Sequence, residues 1–143
     1  MPAGENVDEK ERLDNLRTVP LFSHCSEETL TKILEIATEF EAQAGHVLVE
    51  RNQPGAGLFV VEEGKLEVQL PHRQLELGAG EFVGELALLD EGSLHTARVS
   101  AATRVRALAI ARDDFLDLLE ADPQMALSML HVVAARLSRL LRE

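Results

Sequence analysis

Apolar residues recur at Leu30, Ile33, Leu34 and Ala37, a 3–4 spacing that predicts an amphipathic helix over 26–38. Ser26 stands as its N-cap, and Glu27 and Glu28 fall in the first turn, where the helix dipole favours acids. Leu13, Leu16 and Val19 form a short helical stripe that Pro20 interrupts, while residues 1–12 are polar and expected to be flexible. From Glu39 the period changes. Val47–Arg51 is a short β-branched run, 58–62 and 66–70 alternate, and 74–77 pairs back across Pro71-His72-Arg73. Strands return at 96–101 and 104–111, with turns at 52–57, Glu63-Gly64 and 90–93. Short strands broken every 7–10 residues or so predict a small antiparallel roll or barrel.

Two helices close the chain. Asp113–Leu119 is short, with Phe115, Leu118 and Leu119 facing inward, and Asp122-Pro123 opens the last helix as cap and first-turn residue. Ala126, Leu130, Val133, Leu137 and Leu140 keep a 4-3-4-3 spacing that Leu127, Ala134 and Leu141 widen. That stripe either packs on its own roll or forms a two-helix dimer seam while also lidding a ligand; its width favours both together.

Composition narrows the function. The 143 residues are 45% hydrophobic and 27% charged, which is globular, and one domain is the expectation: a helical lead-in at 13–40, a roll at 41–111 and helices at 112–143. Fourteen Lys and Arg against 25 Asp and Glu give a net charge of −11, so this chain repels nucleic-acid phosphates. Trp and Tyr are absent, which removes the usual platform for stacking bases. A single cysteine, Cys25, excludes an internal disulfide and a thiolate metal cage. No run is long enough for a membrane span, and the acidic opening is no secretory signal, so a cytoplasmic location is expected.

The segment 84–98 is the hardest to explain as scaffold. Gly84 opens one or two turns of helix, 84–89, inside a β region, so free N–H groups near Leu86 and Ala87 would converge on one spot suited to an anion. Glu85 sits beside it and could accept hydrogen bonds from hydroxyls; His95, Thr96 and Arg98 could close from beyond the Gly92 loop. Anion plus diol is the chemistry of a ribose phosphate. The bland alternative is that the short helix is only a connection.

GHVLVERNQPGAGLFVVEEGKLEV followed by GEFVGELALLDEGSLHTARV resembles the cyclic nucleotide-binding domain family, which includes the catabolite activator proteins and the regulatory subunits of cyclic-AMP-dependent kinase. The likeness runs over about residues 20–143 and includes Val19-Pro20-Leu21-Phe22 and the glycines Gly45, Gly55 and Gly64. It implies a mainly β fold with flanking helices: a double-stranded β-helix, or jelly-roll-like β-roll, with an N-terminal helix, a short cassette helix and C-terminal helices. The phosphate-binding cassette matches Gly-Glu-Leu-Ala-Leu at 84–88. By that resemblance Gly84 lets the chain turn close to the ligand and Glu85 binds the ribose 2′-hydroxyl. The amides of Leu86 and Ala87 face the cyclic phosphate, and Thr96 takes the serine or threonine position. His95 stands where the family has the arginine that clamps the phosphate. Losing one charge-assisted bond of an arginine fork costs about 1.5–3 kcal/mol, roughly 10- to 100-fold in affinity. Histidine supplies a charge only when protonated, and Arg98 could reach inward instead. Ser128 and His131 are the polar residues of the last helix placed to touch the base.

The implied function is a ligand-sensing regulatory module for cyclic AMP, cyclic GMP or a related small anion, signalling through a C-terminal helix that also forms a homodimer. The alternative is a degenerate member that binds no nucleotide and serves as a dimerisation or interaction domain. No catalytic constellation and no cofactor are implied. His24, His46, His72 and His131 are scattered without an acid at metal-ligand spacing, so no metal site is expected. Asp113-Asp114 and Glu62-Glu63 read as turn or cap residues. Cys25, just ahead of a helix, could have a lowered pKa, though a half-buried spacer is the plainer reading. Arg98, Arg104, Arg106 and Arg112 read as outward positions relieving the acid excess.

Overall fold

The computed structural model describes residues 2–53, 57–84 and 97–142, with side chains from residue 9 onward. They form two compact units: 36–115, and 1–35 together with 116–143.

The first unit is built from eight strands, β1 Thr38–Ala42, β2 Val47–Val49, β3 Gly57–Glu63, β4 Leu66–Leu70, β5 Arg73–Leu77, β6 Phe82–Val83, β7 Arg98–Ala101 and β8 Val105–Ala111. They make two four-stranded antiparallel sheets, ordered β1-β8-β3-β6 and β2-β7-β4-β5. The chain passes repeatedly from one sheet to the other, which is the jelly-roll arrangement. Period-two alternation fills the space between the sheets. Val61, Val105, Ala107 and Ala42 come from one sheet, and Val49, Leu66, Val68, Leu77, Val99 and Ala101 from the other, all buried in one cluster. Leu58, Val60, Leu108 and Ile110 alternate with them and are buried on the opposite face of the first sheet.

Two strand expectations change. Thr38–Ala42 pairs with β8 as a strand, where the helical lead-in was drawn to residue 40. Its Glu39/Phe40/Glu41/Ala42 alternation is a strand signal that the preceding helix period hides. Glu63-Gly64 does not close a hairpin; it carries the chain from one sheet to the other, and β4 pairs instead with β5 and β7. Here glycine is required: at Gly64 φ is +90°, and a Cβ would lie 2.2 Å from the Arg104 carbonyl oxygen.

The helical unit contains α1 Pro2–Arg17, a 3₁₀ turn Pro20–Phe22, α2 Glu27–Ile36, the C-terminal part of α3 Arg112–Ala121, and α4 Pro123–Arg142. Residues 2–12 of the stretch expected to be flexible lie within α1. Leu21 and Phe22 are fully buried, and α4 packs against their turn. Ser26 caps α2 as expected, its Oγ accepting from the Thr29 N–H at 3.1 Å.

Candidate functional site

The segment of interest joins β6 of one sheet to β7 of the other. It leaves β6 at Gly84, where φ is +104° and a Cβ would stand 2.6 Å from the Gly57 carbonyl oxygen. A side chain there is opposed both by conformation and by the neighbouring strand. Gly57 is crowded in turn, since its own Cβ would lie 2.7 Å from the Ile110 carbonyl oxygen. Two bare glycines thus let three stretches of backbone meet where the segment begins. Glu85, Leu86, Ala87, His95 and Thr96, with the expected helix at 84–89 and loop at 90–93, lie outside the described residues from position 85 onward.

The segment returns at Ala97. Ala97, Val83, Phe59, Phe40, Leu48, Leu70 and Leu75 are only partly buried and pack against the roll's inner cluster. Phe40 and Phe59 meet edge to face, with ring centroids 5.8 Å apart at 76°. These partly buried side chains give the roll's inner cluster an apolar fringe.

Arg98 does not turn inward. On β7 it alternates with Val99, which is fully buried, so its own side chain is exposed, with Nε 3.4 Å from a carboxylate oxygen of Glu50. Strand geometry decides this: an inward Arg98 would put Val99 in water. Arg104 pairs with Glu41, and Arg106 lies 3.9 Å from both Glu62 and Glu63, in line with a role in offsetting acids. Ser128 is half-buried and His131 exposed, both on α4. His24, His46 and His72 are exposed, and among the described residues no three His, Cys, Asp or Glu gather as a metal set. Among those residues, too, no helix is long and apolar enough to cross a membrane.

The family model described as the cyclic nucleotide-binding domain matches residues 39–122. The chain belongs to the cyclic nucleotide-binding domain family. A cyclic nucleotide-gated potassium channel of Rhizobium etli is 36% identical over 108 residues, which cover 76% of this chain and 30% of that protein. The chain therefore spans about a third of the length of such relatives. The catabolite activator protein of Thermus thermophilus superposes with a TM-score of 0.75 at 30% identity, over 85% of this chain and 59% of that one. The domain PKAR CBD2, solved with Sp-2Cl-cAMPS bound, gives 0.79 at 18% identity over 94% and 89% of the two chains, a likeness of fold. The domain that the chain carries is a regulatory module of mainly β architecture.

A second polar cluster was only half visible in the sequence. Asp122 caps α4, its Oδ1 accepting from the Gln124 N–H at 3.1 Å, while Oδ2 accepts from the Ser26 N–H at 3.2 Å. Burial alone would raise this carboxyl, but hydrogen bonds from the Thr29 hydroxyl and the Ser26, Gln124 and Met125 amides more than offset it and hold it below the usual carboxylate range. Next to it, Cys25 corrects the expectation of a lowered pKa. Burial, seconded by the Asp122 charge, pushes the thiol up to about 12, which outweighs the pull of the nearby helix start. Cys25 is a spacer.

Proposed function

We propose that this chain is the sensing part of a regulatory protein, with a cyclic nucleotide held by segment 84–98 and its presence signalled through α4. The observation that carries the reading is Gly-Glu-Leu-Ala-Leu at 84–88, launched by a left-handed Gly84 from a strand of the family's roll. Glu85 accepts hydrogen bonds from the ribose hydroxyl, the Leu86 and Ala87 amides donate to the cyclic phosphate, and Thr96 donates from the other side. With Arg98 held by Glu50 on the outer face, His95 is the cation of the set. The partly buried apolar residues of the inner wall suit the flat face of a purine. Cyclic AMP and cyclic GMP are the ligands proposed. The chain acts without catalysis, in the cytoplasm, and at −11 binds no nucleic acid itself.

Calorimetric titration of the full chain with cyclic AMP and cyclic GMP at pH 7.5 and pH 6.0 tests this. Binding tightens at the lower pH if a histidine supplies the cation, since imidazole charge rises as pH falls from 7.5 to 6.0. A pH-independent affinity moves the phosphate onto the amides alone. Ligand at ~100 Kd adds about 2.7 kcal/mol of stability in a thermal shift. No heat and no shift with either nucleotide overturn the sensor.

The histidine in the arginine's place also supports a second reading, a member of the fold that keeps the scaffold and works as a dimerisation domain. The row of exposed leucines along α4 serves either reading.

A further inference from the structure

Asp122 joins two helices that are remote in sequence. One of its carboxylate oxygens caps the first turn of α4 through Gln124 and the other holds the Ser26 N–H, 96 residues away, at the start of α2. Ser26 is itself the cap of α2, and its hydroxyl reaches the Thr29 hydroxyl at 3.1 Å. The Thr29 hydroxyl in turn donates to Asp122. Asp122 as a whole residue is 7% exposed, and its carboxylate is met by these partners from both helices. If α4 leaves α2, a buried charge loses two donors and the α2 cap loses its anchor at the same moment. Separation is therefore a two-ended loss, while motion of both helices together breaks nothing.

We propose that Asp122 is a positioning residue whose single carboxylate caps both α2 and α4 and makes them move as one body. A shift of α4, from whatever cause, carries the α2 segment with it. The link stands independently of what the roll binds, so its failure would not touch the nucleotide reading, nor would absence of nucleotide binding touch the link.

Asp122→Ser separates the two duties, since serine still caps α4 but its one short hydroxyl does not also reach Ser26. The readout is amide hydrogen exchange on the full chain, combined with spin-label distances between Lys32→Cys and His131→Cys. Cys25→Ser provides the background, with labelled chain diluted into unlabelled chain. In Asp122→Ser the Ser26 amide exchanges at least tenfold faster than the change in overall stability accounts for, Gln124 and Met125 stay protected, and the label distances spread. Unchanged Ser26 exchange and an unchanged distance distribution overturn the link and leave Asp122 an ordinary cap. If Asp122→Ser does not fold, Asp122→Asn, which keeps one acceptor, is read by the same two measurements against the same criteria.

Discussion

At the scale of single residues, environment overrides type. Cys25 precedes a helix start, which on its own would favour the thiolate, yet burial and the neighbouring Asp122 charge put its pKa at about 12. A shift of three units from the ordinary 9.0 leaves roughly a thousandfold less thiolate at pH 8. Iodoacetamide at pH 8 therefore alkylates Cys25 in the folded chain far more slowly than in urea, by about that factor; comparable rates would show an exposed, ordinary thiol. Arg98 makes the same point. Its nearness in sequence to the cassette invited an inward role, but its place on β7 beside the fully buried Val99 faces it outward to Glu50.

At the scale of elements, α4 resolves a stripe that the sequence left too wide. Met125 and Met129 are buried, whereas Ala126, Val133 and Leu140, expected on the seam, are half-buried. Leu127, Leu130, Leu137 and Leu141 stay 45%, 61%, 55% and 77% exposed. With Ala134 they run at 3-4-3-4 spacing, the a/d row of a two-stranded coil. The flanking heptad positions hold His131, Ser138, Val133 and Leu140, so Arg136, Arg139 and Arg142 do not repel across a parallel seam. On the reading that this row is a dimer seam, the wild-type chain sediments as a dimer at micromolar concentration and Leu130→Asp with Leu137→Asp as a monomer, with the fold unaltered by circular dichroism. A wild-type chain that sediments as a monomer at 100-fold higher concentration would refute the seam.

At the scale of the whole molecule, stability depends on pH through the cluster that joins α2 to α4. The Asp122 carboxyl sits below its ordinary value in the folded chain, so its contribution is present above the unfolded value of about 3.9 and is lost as pH falls through the folded one. Cys25 works at the other end, with stability lost as pH rises from about 9 toward 12. Asp122→Asn should lower the urea midpoint at pH 7, and the gap to wild type should close below pH 4. A gap that stays constant from pH 7 to pH 3 would mean that the carboxylate is not what stabilises this joint.

The local code was legible because it is written in neighbours: the Ser26 and Asp122 caps, the alternation of β3, β4 and β8 and the turn at Pro71-His72 all act within a few residues. The same letters named the family before any coordinate did. What only the tertiary structure decided are relations between residues far apart. Gly84 is fixed by the carbonyl of Gly57, β1 exists by pairing with β8, and Asp122 reaches back to Ser26. A side chain's partner across the fold depends on which strands and helices become neighbours, and hydrophobic period reports only which face is buried, not against what.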